Sequence, residues 1–340
     1  MLTSRRSAFV LLIGLTASIL PIFEAGAAER EALTPAIDAW GEHPRVHAVI
    51  VARDGEPIVE EVFAGPGLDM PVNVKSLGKT FMAALTGAAI HQGVVEGVDQ
   101  PITALLGPRV PDDAGARLGE VTVAHLLSMS SGLERTSGSG YGAWVNSANW
   151  VEYALTRPFV EVPGERMQYS TGDFHILAAA LTEASGRSVL ALGRDWIGAP
   201  LDIRIPAWDQ DPQGIYFGGN NMLLSPRALV QLGELYRNDG MVDGQRVLPR
   251  GWVESSWSPR VRSPWSGDQY GFGWFIRRVD GLDIYHGRGY GGQMLYVVPA
   301  LELTVAISAD PSPPSPPGSA VDRLHAVLEQ HVIPVLREHD

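Results

Sequence analysis

No cysteine occurs anywhere in the chain. Disulfides, thiolate nucleophiles, cysteine-bound metals and a lipidated N-terminal cysteine are excluded together. Lysine is almost as scarce: Lys75 and Lys79 are the only two, against 24 arginines. Net positive charge is missing as well. A formal charge of −12 argues against a nucleic-acid backbone or an anionic membrane surface as partner. No Gly-x-Ser-x-Gly elbow is present to seat a serine between a strand and a helix.

What is there begins with a leader. Arg5 and Arg6 precede an apolar run from Ala8 to Phe23, and Ala25-Gly26-Ala27 fits a small-x-small cleavage site. Residues 1–27 are therefore expected to be a signal peptide, and the protein to be exported, periplasmic or secreted, with no membrane attachment after cleavage. About two ordinary domain lengths remain, with 45 % hydrophobic residues to fill a core.

Two β-type runs flank Asp54-Gly55, a hairpin signal. Helical patterns then dominate the middle of the chain, from "SLGKTFMAALTGAAIHQG" to "SPRALVQLGELYRNDG", the latter starting on Ser225-Pro226 and stopping at Gly240. Strand character returns in "YGFGWFIRR", "LDIYHG", "GGQMLYVVP" and "LELTVAISAD". "PSPPSPPGS" (311–319) reads as a loop, and an amphipathic helix closes the chain. The order predicts an α+β fold: an antiparallel sheet flanked by N- and C-terminal helices, with a mostly helical domain inserted. The expected boundaries are 28–80 with 225–340 for the sheet domain and 81–224 for the insertion.

Arginine holds its proton in proteins, whereas lysine releases it when desolvated. Lys79 follows Ser76 by three residues, which on a helix places both on one face, and the turns around it are apolar. A neutral amine there can take the hydroxyl proton as the oxygen attacks a carbonyl. At a helix start the N–H of Ser76 has no partner within the helix and faces developing negative charge favourably. Tyr169, in "MQYSTGDF", can relay a proton to the leaving group if nearby cations lower its phenol. The Gly-x-Gly-x-x-Gly at 287–292 is not a dinucleotide loop, because strand-like sequence follows where a helix is required. Glycines at a strand entry instead permit close approach of a substrate backbone. His43 and His47 have helical ligand spacing, but Pro44 lies between them and no metal is expected. His125 and His175 sit in apolar runs and read as core. "TSGSGYGAW" (136–144) is glycine-rich enough for a lid.

Ser76-x-x-Lys79, Tyr169-Ser170-Thr171 and "HGRGYGG", in that order, resemble the three motifs of the serine β-lactamase and penicillin-binding superfamily, closest to its class C-like branch. "VTVAHLLSMSSGL" and "WDQDPQGIYFGGNNMLLSPRALVQLGELYRNDG" resemble its nylon-oligomer (6-aminohexanoate) hydrolases. The resemblance implies a cleft between an α/β domain and a helical insertion. It implies Ser76 as acylated nucleophile, Lys79 as its activator, Tyr169 as general base then acid, and an oxyanion hole from the N–H groups of Ser76 and Tyr290. Thr171 stands where many relatives have asparagine. The third motif fits two registers, Gly287-Arg288-Gly289 or His286-Gly287, so Arg288 or His286 takes the place of the usual lysine. Trp144, with Tyr141, Trp150 and Phe217, falls in loops that frame the cleft in relatives. The implied activity is hydrolysis of a small-molecule ester, amide or peptide without a cofactor. The rival readings are a D-alanyl peptidase or β-lactamase, and a protein that captures an acyl ligand without turnover.

Overall fold

The computed structural model describes residues 28–312 and 319–338. The expected signal peptide and most of the proline-rich loop, residues 313–318, lie outside the described residues.

A short helical stretch at 28–32 leads into helix α1 (Thr34–Gly41), followed by the hairpin β1 (Val46–Arg53) and β2 (Glu56–Val62). Asp54 and Gly55 between the strands both have positive φ, the turn geometry that matches strand twist. Five further main-sheet strands come late, together with a short edge strand: β3 (Val261–Arg262), β4 (Gln269–Tyr270), β5 (Phe275–Val279), β6 (Leu282–Gly289), β7 (Gln293–Val298) and β8 (Leu303–Ala309). All pair antiparallel in the order β2-β1-β8-β7-β6-β5-β4-β3. The first and last segments of the chain thus meet at β1 and β8, as the sequence order predicts.

Both faces of this sheet are covered. On β1, Ile50 and Ala52 join one core while Val49 and Val51 join the other. On β7, Leu295 and Val297 face the first core and Met294, Tyr296 and Val298 the second. This explains why β7 and β8 read as continuous apolar runs rather than alternating ones. The second core is closed by α1 and by the C-terminal helices α5 (Ser319–Val327) and α6 (Ile333–Glu338), joined through one wide turn, Leu328–Val332.

The first core carries the helices that hold the site. They are α2 (Gly78–His91), α3 (Thr171–Ser185) and α4 (Pro226–Arg237). Ser225 caps α4 by accepting the Ala228 N–H at 3.1 Å. Almost every residue of α2 and the first eleven of α3 are buried, so both are interior helices and show no polar face. Among the described residues no single helix is long and apolar enough to cross a membrane.

Candidate active site

Ser76 lies in a tight turn, Lys75–Leu77, that runs directly into α2. Lys75, just before it, has φ +52°, a left-handed conformation uncommon for a residue with a side chain. Its N–H donates to Asn73 Oδ1 at 2.9 Å and its Nζ to Asn221 Oδ1 at 3.2 Å. The second lysine thus braces the turn that presents the serine.

Lys79 is 2 % exposed. Its Nζ lies 3.2 Å from Ser76 Oγ, 3.2 Å from Thr171 Oγ1 and 2.8 Å from the Gly219 carbonyl oxygen. Burial holds its pKa below the ordinary lysine value, against the pull of Tyr169 and Asp173 toward the charged form. The Tyr169 ring centroid is 5.2 Å from Nζ. Burial pushes the Tyr169 phenol up, but the Lys79 charge, hydrogen bonding to Ser76 and the Arg288 charge outweigh it and leave the phenol below its usual range. Nζ donates to all three oxygens, and of the three only Gly219 O can never donate in return, so that contact stays when the amine gives up a proton.

Gly219 is indispensable to this arrangement. It has φ +73°, and a Cβ there would stand 2.8 Å from Lys79 Cγ and 2.7 Å from Phe174 Cβ.

Ser76 and Tyr169 open into a cleft of about 520 Å³, whose wall includes Arg135, Ser137, Trp265 and Arg288 and whose floor is Gly289 to Gly291. Tyr290, whose N–H is expected in the oxyanion hole, lies in that floor. The strand register places Gly287 against Leu77 and Thr80 of the serine-bearing segment, and Gly289 against the Val74 carbonyl. Arg288, between them, reaches the cleft past the Phe275 ring at 4.3 Å.

Several expectations need correction. His286 does not line the cleft: it is fully buried within β6, stacked on Phe275 and 3.6 Å from Asp268. Close packing by the C-terminal helix puts it in the interior, with His325 against its ring, whereas Arg288, two positions on along the same face, reaches the cleft. Gly287 also contributes packing, since any side chain there would meet α2. Trp144 is a core residue. Its indole N–H donates to the Trp150 carbonyl, and it packs on Tyr141, Trp150, His175 and Phe217. Thr171 is buried beside Lys79, with the hydroxyl of the cleft residue Ser137 3.0 Å away. The glycine-rich segment is no free lid at its start. Thr136 Oγ1 accepts the Gly172 N–H at 2.8 Å, and Ser137 Oγ accepts the Thr171 N–H at 2.9 Å.

Sequence reading also missed residues. Arg135 and Trp265 line the cleft, and Arg135 lies over the Trp265 ring at 5.3 Å. Both sit in loops with no motif to mark them. Asp173, in the first turn of α3, is 2 % exposed, and burial raises its carboxyl to about 7 although Ser131 donates to it at 3.0 Å.

An antiparallel sheet with a helical insertion, and a serine, a buried lysine and a tyrosine converging at their seam, define the class of active-site serine proteins built on the β-lactamase fold. The chain belongs to the beta-lactamase family, which matches residues 42–330. It is 24 % identical over 238 residues to the 6-aminohexanoate-dimer hydrolase of Paenarthrobacter ureafaciens, covering 65 % of this chain and 59 % of that one. It is 28 % identical over 154 residues to the D-alanyl-D-alanine-carboxypeptidase/endopeptidase AmpH of Escherichia coli K12, covering 43 % and 39 %. The chain thus spans less than two thirds of the length of either relative. Among solved structures, the fold matches a beta-lactamase-like protein from Bacteroides dorei with a TM-score of 0.73 at 19 % identity, over 89 % of this chain and 98 % of that one. It matches EstCE1, a hydrolase with promiscuous acyltransferase activity, with a TM-score of 0.69 at 17 % identity, over 91 % and 100 %.

Proposed function

We propose that this protein is an exported serine hydrolase that cleaves a small ester or amide through an acyl-enzyme on Ser76. The observation that carries the reading is the desolvated Lys79 side chain, whose Nζ lies 3.2 Å from Ser76 Oγ and is tethered there by Thr171 Oγ1 and the Gly219 carbonyl. Ser76 Oγ attacks the carbonyl carbon while its proton passes to the Lys79–Tyr169 pair. The N–H groups of Ser76 and Tyr290 hold the oxyanion. Tyr169, its phenol lowered by Lys79, delivers the proton to the departing alkoxide or amine. Water then attacks the acyl carbon, its proton returns along the same route, and the acid leaves. The lysine and tyrosine titrate as a coupled pair, so the acid limb of the rate profile reports the pair.

The test is hydrolysis of a chromogenic short-chain ester together with labelling by a fluorophosphonate. Wild type is expected to turn over and to be labelled at Ser76; Ser76→Ala is expected to lose both, with kcat down by roughly 10³-fold or more. Turnover and labelling that survive the substitution would sink the reading. A burst of one product equivalent with no steady state would instead indicate an acyl-capturing protein.

Arg288 favours a second reading. It places a guanidinium on the cleft wall beside the serine, where a substrate carboxylate can pair with it. A D-alanyl peptide or a β-lactam carries such a group. Nitrocefin turnover or release of D-alanine would distinguish this substrate class from neutral esters. Export is tested by fractionation and N-terminal sequencing, with a mature start expected just after Ala27.

A further inference from the structure

The Gly219 carbonyl that holds Lys79 Nζ does not stay in place by itself. It belongs to a glycine pair on an irregular loop, and Gly219 lies in the left-handed region. The loop is clamped on one side by a buried histidine. The Gly218 N–H donates to His175 Nδ1 at 3.3 Å, and His175 Nε2 lies 3.0 Å from Asp211 Oδ2. Because Nδ1 accepts, the ring proton resides on Nε2 and is donated to Asp211. The other Asp211 oxygen accepts the N–H groups of Gln213 and Ile215 at 2.8 and 2.9 Å. Burial opposes ionisation of Asp211, but the His175 donor and these amides outweigh it and keep the carboxylate charged. His175 itself is fully buried and held between Trp144, Trp150 and Phe217, so its ring has no room to turn. The contact is also close on the helix side: a Cβ on Gly218 would stand 2.1 Å from the Phe174 carbonyl oxygen.

We infer that the His175–Asp211 pair is a positioning device for the activating lysine: Asp211 sets the histidine tautomer, the histidine anchors Gly218, and Gly219 O then holds Lys79 at Ser76. The inference rests on the acyl-enzyme reading. His175 and Asp211 touch no reacting atom and are not catalytic residues.

The logic yields three variants with different expected behaviour. In Asp211→Asn the amide oxygen keeps the Gln213 and Ile215 N–H groups, and the new NH₂ donates to His175 Nε2. The ring proton must then move to Nδ1, where it meets the Gly218 N–H head-on. His175→Gln keeps a donor for Asp211 and loses the acceptor for Gly218. His175→Asn keeps an acceptor at the Nδ1 position and loses Asp211. Asp211→Asn and His175→Gln should lower kcat on the short-chain ester by roughly 10- to 100-fold, the scale of a small misplacement of a reacting group. His175→Asn should retain most of the activity. A carbonyl acceptor favours the ammonium, so loosening it should also move the acid limb of the kcat/KM profile to lower pH in the first two variants only. Circular dichroism and Tm, measured alongside, confirm that Asp211→Asn, the isosteric variant, is folded. Equal activity in Asp211→Asn and wild type, or equal losses in His175→Gln and His175→Asn with an unmoved acid limb, would overturn the inference. The acyl-enzyme reading fails separately, through Ser76→Ala.

Discussion

At the scale of single residues, the proposed chemistry rests on a buried amine, and burial is also what it costs. Lys79 and Asp173 are both desolvated in the same small volume, and each is shifted away from its charged form. Asp173 has no place in the proposed proton route, yet it affects stability. Its folded pKa, about 7, lies above the unfolded value near 3.8. Between those values the native state binds more protons than the unfolded chain, so stability falls as pH rises through the window. Asp173→Asn removes that slope. Its Tm relative to wild type is therefore expected to improve steadily from about pH 4 to about pH 7, and thermal melts across that range check it. Lopsided lysine usage made Lys79 legible from sequence, because a chain that otherwise uses arginine has a reason to change. Asp173 and Asp211 gave no such signal, since an acidic residue in a helix or loop looks the same whether solvated or buried.

At the scale of elements, the site depends on how closely β6 approaches the turn that carries Ser76. Gly289 makes this possible: a Cβ there would stand 2.2 Å from the Val74 carbonyl oxygen. That neighbour is backbone and cannot move aside without shifting Lys75 and Ser76. Gly289→Ala is expected to destabilise the protein by about 1–3 kcal/mol and to lower ester turnover at least tenfold. Chemical denaturation and steady-state kinetics on one preparation measure both, and a stable, fully active variant would show that the strand and turn are less tightly coupled. The glycines of "HGRGYGG" announced such an approach in the sequence. They did not say which neighbour is approached, because strand register relative to a helix is set by packing across the core. That is why His286 and Arg288 were both open as cleft residues. The two lie two positions apart on one face of the strand, and only the packing of the C-terminal helix on His286 buries it while Arg288, nearer the strand end, stays in the cleft.

At the scale of the whole molecule, the cleft is assembled from distant parts of the chain. Arg135 comes from the helical segment and Arg288 from the sheet, and both reach its wall. Each guanidinium can pair with a carboxylate on a substrate in the cleft. Replacing both by alanine is expected to lower kcat/KM for a carboxylate-bearing substrate by roughly 10- to 100-fold, the scale of charge-assisted pairs, and to change turnover of a neutral ester little. Equal losses on both substrates would mean the arginines shape the cleft rather than select the charge.

The sequence by itself determined the fold class, the closure of one sheet by the two ends of the chain, and the nearness of Ser76 to Lys79. These follow from hydrophobic pattern, turn chemistry and three-residue helical spacing, all of which are local. Tertiary structure alone decided that Trp144 fills a core, that Thr171 sits against the lysine, that Arg288 reaches the cleft, and that a histidine–aspartate pair holds the loop behind the lysine. Each of these depends on which surfaces exclude water from one another across long stretches of chain, and no local pattern records that.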